Sequence, residues 1–161
     1  MAQTIRFDDG IKEYEINGNG VLRLNPSDIN LYTRFFDAQD KLLCIEKELE
    51  QAAAALPAVP EDAKEAQLIE ARGAAMKLLQ DADRKVKDVL AWIFPGNDFE
   101  TLLGGVNVMT VGANGERVIT NFLAALTPII EQGVNAYADA KAAQAANHAA
   151  QNRAQRREKK A

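Results

Sequence analysis

The sequence predicts a mainly α-helical fold with an N-terminal β-hairpin, a long αα-hairpin and a bent C-terminal helix. Apolar residues recur at alternating spacings of four and three over two long segments, which is the period of one helix face. Prolines stand where each of these segments ends. Near the N-terminus, two short alternating segments flank a cluster of asparagine and glycine, which indicates a hairpin.

Length and composition favour one folded domain. The chain has 161 residues, of which 47% are hydrophobic and 26% charged, so it can bury a core. We place a single helical domain at residues 1–140 and an alanine-rich, basic helical tail at residues 141–161. The tail carries a formal charge of +5 and the remainder −9, for a total of −4.

The hairpin is predicted over about residues 3–24. Residues 4–7 alternate in polarity, Asp8-Asp9-Gly10 is typical of a turn, and residues 14–16 resume the alternation. The asparagine–glycine cluster at 17–20 precedes a last strand at 21–24. Because an isolated hairpin is marginal in water, we expect it to pack on a helix or on another subunit.

The first long helix is predicted over about residues 28–56, between Pro26 and Pro57. Two interpretations of its apolar seam stay open, a helix of an intramolecular bundle or the seam of a coiled-coil dimer, and the width of the stripe favours the bundle. The seam runs through Leu31, Phe35, Ala38, Leu42, Ile45, Leu49, Ala52 and Leu56, and is widened by Tyr32, Phe36, Leu43 and Cys44.

The second long helix is predicted over about residues 61–94, where Pro95 and Gly96 end it. The short connection between the two helices favours an antiparallel αα-hairpin. Its apolar positions are Leu68, Ala75, Leu79, Ala82, Val86, Val89 and Ile93.

The last third of the chain is predicted to contain two more helices. A short helix at 98–103 precedes an apolar stretch between glycine clusters, which we expect to be docked. A further helical segment includes Phe122, and Thr127-Pro128 marks either a kink in it or the start of a new helix. After Tyr137 the large apolar residues cease.

Residues that carry catalysis or bind metals are sparse. Cys44 is the single cysteine, and its place beside the first seam indicates a small core residue. His148 is the single histidine and has no acidic neighbour in the alanine-rich tail. No phosphate-binding glycine motif occurs. We therefore predict no enzymatic activity, no catalytic or cofactor-binding residues, no metal site and no cofactor.

The sequence also lacks the marks of secreted and membrane proteins. No positively charged, apolar leader is visible, and the apolar stretches fall far short of the roughly 20 residues that span a bilayer. We expect a cytoplasmic protein without membrane contact. The basic tail fits either electrostatic binding of nucleic acid or a solubilising helix end, and the acidic body with no aromatic residue in the tail favours the latter.

The order of these parts resembles the tail assembly chaperones of long-tailed phages and prophages of Gram-positive bacteria. The resemblance covers roughly residues 3–137. It rests on the hairpin turn Asn17-Gly18-Asn19-Gly20, then Asn25-Pro26-Ser27-Asp28, Tyr32 with Phe35-Phe36, Ile93-Phe94-Pro95-Gly96-Asn97-Asp98-Phe99, Leu102-Leu103-Gly104-Gly105, Asn121-Phe122-Leu123 and Pro128-Ile129-Ile130.

The resemblance implies a non-enzymatic factor in the cytoplasm of the bacterial host. Such a factor coats the tape measure protein before tail-tube polymerisation, keeps it soluble and often self-associates. We expect the partner and self-association contacts to use the apolar seams, at Leu31, Phe35, Leu42, Ile45, Leu49, Leu79, Val86, Ile93 and Phe122. The alternatives are a structural coiled-coil or scaffold protein that only self-associates, and a basic-tailed nucleic-acid-binding adaptor.

The resemblance further implies a longer product made by a programmed −1 frameshift near the stop codon. The Glu158-Lys159-Lys160 run is compatible with a slippery adenine-rich message; the alternative, a lysine-rich helix end, is favoured because Lys-Lys pairs are common.

Overall fold

The computed structural model describes residues 2–158 and confirms the predicted fold class. The strands are β1 (Lys12–Glu15) and β2 (Val21–Leu24), and the helices are α1 (Ile29–Ala54), α2 (Glu65–Ile93), α3 (Phe99–Leu102) and α4 (Val118–Glu158). The codons expected to cause frameshifting fall at residues 159–160, outside the described residues.

The hairpin is antiparallel, with Glu13 opposite Arg23. Its turn places Asn17 and Gly18 at φ angles of 50° and 73°, and asparagine and glycine are the residues that tolerate such values. The hairpin is shorter than the sequence predicts, because residues 4–7 form no strand.

A local hydrogen-bond network explains the shorter hairpin. The Asp8 and Asp9 carboxylates accept hydrogen bonds from the backbone N–H groups two residues further on. The Asn25 side chain donates to the Asp9 carbonyl at 2.9 Å, so the turn is held against the end of β2.

Helices α1 and α2 form the predicted antiparallel hairpin. Asp28 caps α1 by accepting from the Asn30 N–H at 2.9 Å. Helix α2 begins at Glu65, four residues later than expected, because residues 60–63 close a turn through the Ala63 N–H and the Pro60 carbonyl. No residue between positions 50 and 81 is buried, so this end of the pair, here called the arm, projects from the body.

Helix α4 is continuous through Pro128 rather than restarting there. Proline lacks the N–H that would bond the carbonyl four residues earlier. The Thr127 hydroxyl donates to the Leu123 carbonyl at 2.8 Å. This carbonyl is next to that of Ala124, which Pro128 leaves without its helical donor. Beyond Tyr137 every described side chain of α4, through residue 157, is exposed.

The core lies where α1, α2, α3, α4 and the hairpin meet. Phe99 stacks at ring-centroid distances of 5.8 Å on Phe94 and 6.0 Å on Phe122. Leu22, Leu90 and Ile93 are completely buried around these rings. The hairpin is thus packed on helices of its own chain.

One close crossing joins the start of α1 to α4. A Cβ atom built on Gly133 would lie 2.7 Å from Pro26 Cβ and would overlap the Pro26 carbonyl group. The Ser27 hydroxyl donates to the Gly133 carbonyl at 3.1 Å. Glycine at position 133 therefore allows the β2–α1 connection to cross α4 in direct backbone contact.

Candidate partner-binding surfaces

The nine residues predicted to contact partners belong to the core or pack against it. Six of them are buried, and three are partly buried. The buried residues are Leu31, Ile45, Leu49, Val86, Ile93 and Phe122, and the partly buried ones are Phe35, Leu42 and Leu79. The exposed apolar surface of α1 is therefore formed by other residues.

Helix α1 carries a second apolar repeat, here called the outer seam. Ile29, Phe36 and Leu43 are spaced by seven residues and have 53%, 53% and 63% of their surface exposed. Each lies two residues before a member of the buried series Leu31, Ala38 and Ile45. Because two residues correspond to about 200° around a helix, the outer seam faces away from the core.

Leu43, the last residue of the outer seam, lines a groove between α1 and α4. This groove has a volume of about 320 Å³, and its lining includes Leu42 and Leu43 of α1 together with Ile119, Thr120 and Leu123 of α4. Further along α1, Tyr32 and Phe36 stack edge to face at 5.0 Å, which fixes the Phe36 ring beside the seam. The outer seam thus runs along α1 and reaches the groove at Leu43.

Arg117 lies in the wall of this groove. Its Nε is 3.8 Å from Glu46 Oε1, and its Nη1 is buried without a hydrogen-bond acceptor among the described residues. An unsatisfied buried donor reduces stability.

The arm has apolar residues of its own. Ile69 and Met76 of α2 are 62% and 63% exposed and are also seven residues apart. They lie on the part of α2 that has no buried residue, so they form a separate surface from the outer seam.

A larger cavity, of about 660 Å³, lies between the hairpin and α4. Tyr14 and Ile16 of the hairpin face Phe122, Ala125 and Ile129 of α4 across it. This cavity, here called the hairpin groove, is predominantly apolar and open at the surface.

The charged side chains form structural contacts. Lys87 Nζ lies 3.0 Å from Asp83 Oδ2 and 2.6 Å from Glu100 Oε2, which joins α2 to α3. Burial opposes the charge of Lys87, but the two hydrogen bonds outweigh this effect and raise its pKa. The Thr101 hydroxyl and N–H donate to Asp98, the N-cap of α3, and lower the pKa of its carboxyl.

The remaining candidates for chemistry are isolated. Cys44 is exposed on α1, contrary to the expected core position, because it lies on the flank of the helix beyond the buried seam. His148 is exposed on the tail. Among residues 2–158, no group of three histidine, cysteine or acidic side chains is placed to hold a metal ion. None of the described helices combines the length and apolar character needed to cross a membrane.

Comparison with known proteins identifies no relative, since no family model, curated protein or solved structure matches the chain.

Proposed function

We propose that this protein is a non-enzymatic tail assembly chaperone that binds the tape measure protein and keeps it soluble in the cytoplasm of a bacterial host. The observation that supports this proposal is the outer seam of α1, in which Ile29, Phe36 and Leu43 are exposed and Leu43 lines the α1/α4 groove. A tape measure protein is a long helical chain, so the relevant contact is between helices.

The spacing of the outer seam suits a helical partner. A helix bound in a groove places apolar side chains at intervals of three, four and seven residues against its receptor. Side chains seven residues apart on α1 offer the matching row, as they do between the helices of a coiled coil. The Leu42 and Leu123 side chains on the groove walls extend the apolar contact to both sides of the bound helix.

Charge supports a solubilising role. The body that presents the outer seam is acidic, and Glu46 lies at the groove beside Arg117. A net negative surface keeps a complex soluble and disfavours binding to nucleic-acid phosphates. The basic residues of the tail up to Arg157 lie on the exposed part of α4, away from this surface.

The test is co-expression with the tape measure protein encoded in the same genome. The wild-type chain should bring the partner into the soluble fraction and co-purify with it. The Phe36→Ser/Leu43→Ser variant should lose most of the soluble partner, because both apolar contacts are removed from an exposed surface. Its matched control is Ile69→Ser/Met76→Ser, which removes two equally exposed apolar side chains from the arm and should retain the partner.

Two results would contradict the proposal. The first is equal loss of the partner in both double variants, which would show that the outer seam has no special role. The second is a wild-type chain that assembles alone and leaves the tape measure protein insoluble, which would indicate the scaffold alternative.

A further inference from the structure

We infer that the N-terminal segment at residues 4–7 of one copy adds as a third strand to β1 of a second copy, with Ile5 and Phe7 in the hairpin groove of that copy. The inference goes beyond the proposed function and does not depend on it, because it concerns a different surface and a second copy of the same chain.

The segment has apolar side chains that its own chain leaves uncovered. Ile5 and Phe7 are 85% and 80% exposed. They are two residues apart, so in an extended conformation they lie on the same side of the chain, while Arg6 lies on the other side. This is the pattern of a strand with one apolar face and one charged face.

The hairpin has one closed edge and one open edge. The edge of β2 is closed at Arg23, whose N–H donates to Asn97 Oδ1 at 2.8 Å and whose carbonyl accepts from Asn97 Nδ2 at 3.0 Å. Glu13 is directly opposite Arg23, and the two residues exchange no backbone hydrogen bonds because those of Arg23 go to Asn97. The N–H and carbonyl of Glu13 therefore point away from β2, toward the outer edge of β1. The described sheet has only two strands, so that edge is available for β-strand addition.

The two faces of β1 match the two faces of the segment. Tyr14 and Ile16 lie on the face that borders the hairpin groove. A strand added beside β1 with Ile5 and Phe7 on this face would place them over Ala125 and Ile129 of α4. The Glu13 and Glu15 side chains project to the opposite face of β1, since side chains alternate along a strand, and Glu15 also contributes to the lining of the hairpin groove.

Charge complementarity selects this segment as the occupant. With Ile5 and Phe7 in the groove, the cationic Arg6 side chain lies on the same face as the Glu13 and Glu15 carboxylates. Arg23 of the same hairpin already contacts Glu13 at 3.3 Å, so this face keeps a net negative charge that Arg6 neutralises. Opposite charges on neighbouring strands stabilise the pair, and the acidic edge disfavours strands without a cation.

The turn at residues 8–10 favours a second copy as the source of the added strand. The Asn25 side chain, which follows β2, donates to the Asp9 carbonyl at 2.9 Å. The segment would have to release this contact to reach β1 of its own chain. Reciprocal exchange between two copies leaves both turns intact and gives a closed dimer.

Cysteine cross-linking tests the pairing directly. In a Cys44→Ser background, a tagged chain with Arg6→Cys is mixed with an untagged chain with Glu13→Cys or Glu15→Cys and oxidised mildly. An interchain disulfide should form with one or both of these partners, since facing residues on adjacent strands lie within the range that a disulfide spans. The control partner carries Glu70→Cys, an exposed acid on the arm, and should form little product.

Sedimentation equilibrium tests the energetic role of the apolar residues. The wild-type chain should be a dimer at tens of micromolar, and Ile5→Ser/Phe7→Ser should raise the dimer dissociation constant at least about tenfold. At protein concentrations well below the wild-type dimer dissociation constant, the variant and the wild type should have the same unfolding midpoint, because both side chains are exposed within one chain. The Phe36→Ser/Leu43→Ser variant should remain dimeric, which separates this result from a failure of the proposed function.

Three outcomes would overturn the inference. The first is a wild-type chain that is monomeric at these concentrations. The second is a cross-link between Arg6→Cys and Glu70→Cys as strong as the cross-links to Glu13→Cys and Glu15→Cys. The third is an intrachain disulfide in the double variant Arg6→Cys/Glu13→Cys, with no interchain product when the two single variants are mixed.

Discussion

Replacing Gly133 with alanine tests the crossing between α4 and the β2–α1 connection. In an exposed helix interior, alanine is more favourable than glycine by about 1 kcal/mol. At position 133 the new methyl group would overlap the Pro26 carbonyl and lie 2.7 Å from Pro26 Cβ. Because the obstacle is backbone, the two segments must separate rather than repack a flexible side chain.

The expected magnitude follows from three contributions. Overpacking of this kind costs about 1–3 kcal/mol, and separation of the segments weakens the Ser27–Gly133 hydrogen bond, which contributes about 1 kcal/mol. Helix propensity offsets about 1 kcal/mol of this loss. The net result is a destabilisation of about 2 kcal/mol, or roughly 4–8 °C in the unfolding midpoint of a chain of this length.

Gly73 provides the matched control. It lies within α2, and a Cβ built there meets nothing within 4 Å. Gly73→Ala should therefore stabilise the protein by about 1 kcal/mol. Urea denaturation followed by the fluorescence of Trp92, the single tryptophan, measures both variants. If Gly133→Ala stabilises the protein as Gly73→Ala does, the described crossing is refuted.

Three further predictions concern polar contacts. Asn97→Ala should destabilise the protein by about 1–3 kcal/mol in urea denaturation, because it removes the contacts to both backbone groups of Arg23; an unchanged midpoint would contradict this role. Arg117→Met should stabilise the protein by about 1 kcal/mol in the same assay, because it removes the unsatisfied buried Nη1 and only a long ion pair; a loss of stability would contradict it. The pKa of Lys87 is raised in the folded state, so its ion pairs stabilise the fold fully at pH values below 10.5, the ordinary lysine pKa. This stabilisation is lost as the pH rises through the higher pKa of the folded state. Thermal unfolding midpoints over roughly pH 9–12 should therefore fall less steeply in Lys87→Met than in the wild type. If the two plots of midpoint against pH are parallel, the charge of Lys87 does not have this stabilising role.

The helices could be predicted from sequence because their signals are local. The repeat of Leu31, Ala38 and Ile45 and the proline at position 57 describe α1 within two residues of its observed ends. The start of α2 was less predictable, because the turn at 60–63 uses an ordinary run of residues before Lys64. Local periodicity thus predicts the presence of a helix more reliably than it predicts the residue at which the helix begins.

The exposed surfaces could not be predicted in the same way. Helix α1 has two heptad repeats offset by two residues, and both are apolar. Which of them is covered depends on where α2 and α4 pack, and that is decided by contacts distant in sequence. Gly133 likewise has no local signal, because its role depends on Pro26, more than one hundred residues away.

The exposed end of α4 has a consequence for the timescale of amide hydrogen exchange. Amides near Leu126 and Ile130 belong to a buried helix face, so they exchange only when the body unfolds. Amides at residues 138–157 are protected by helical hydrogen bonds alone, and an isolated helix of this length is only marginally stable. A single continuous helix should therefore show two exchange regimes, with slow exchange before Tyr137 and fraying that quickens toward residue 157. The same residues would melt gradually on heating, and about a fifth of the helical circular-dichroism signal would disappear outside the cooperative transition.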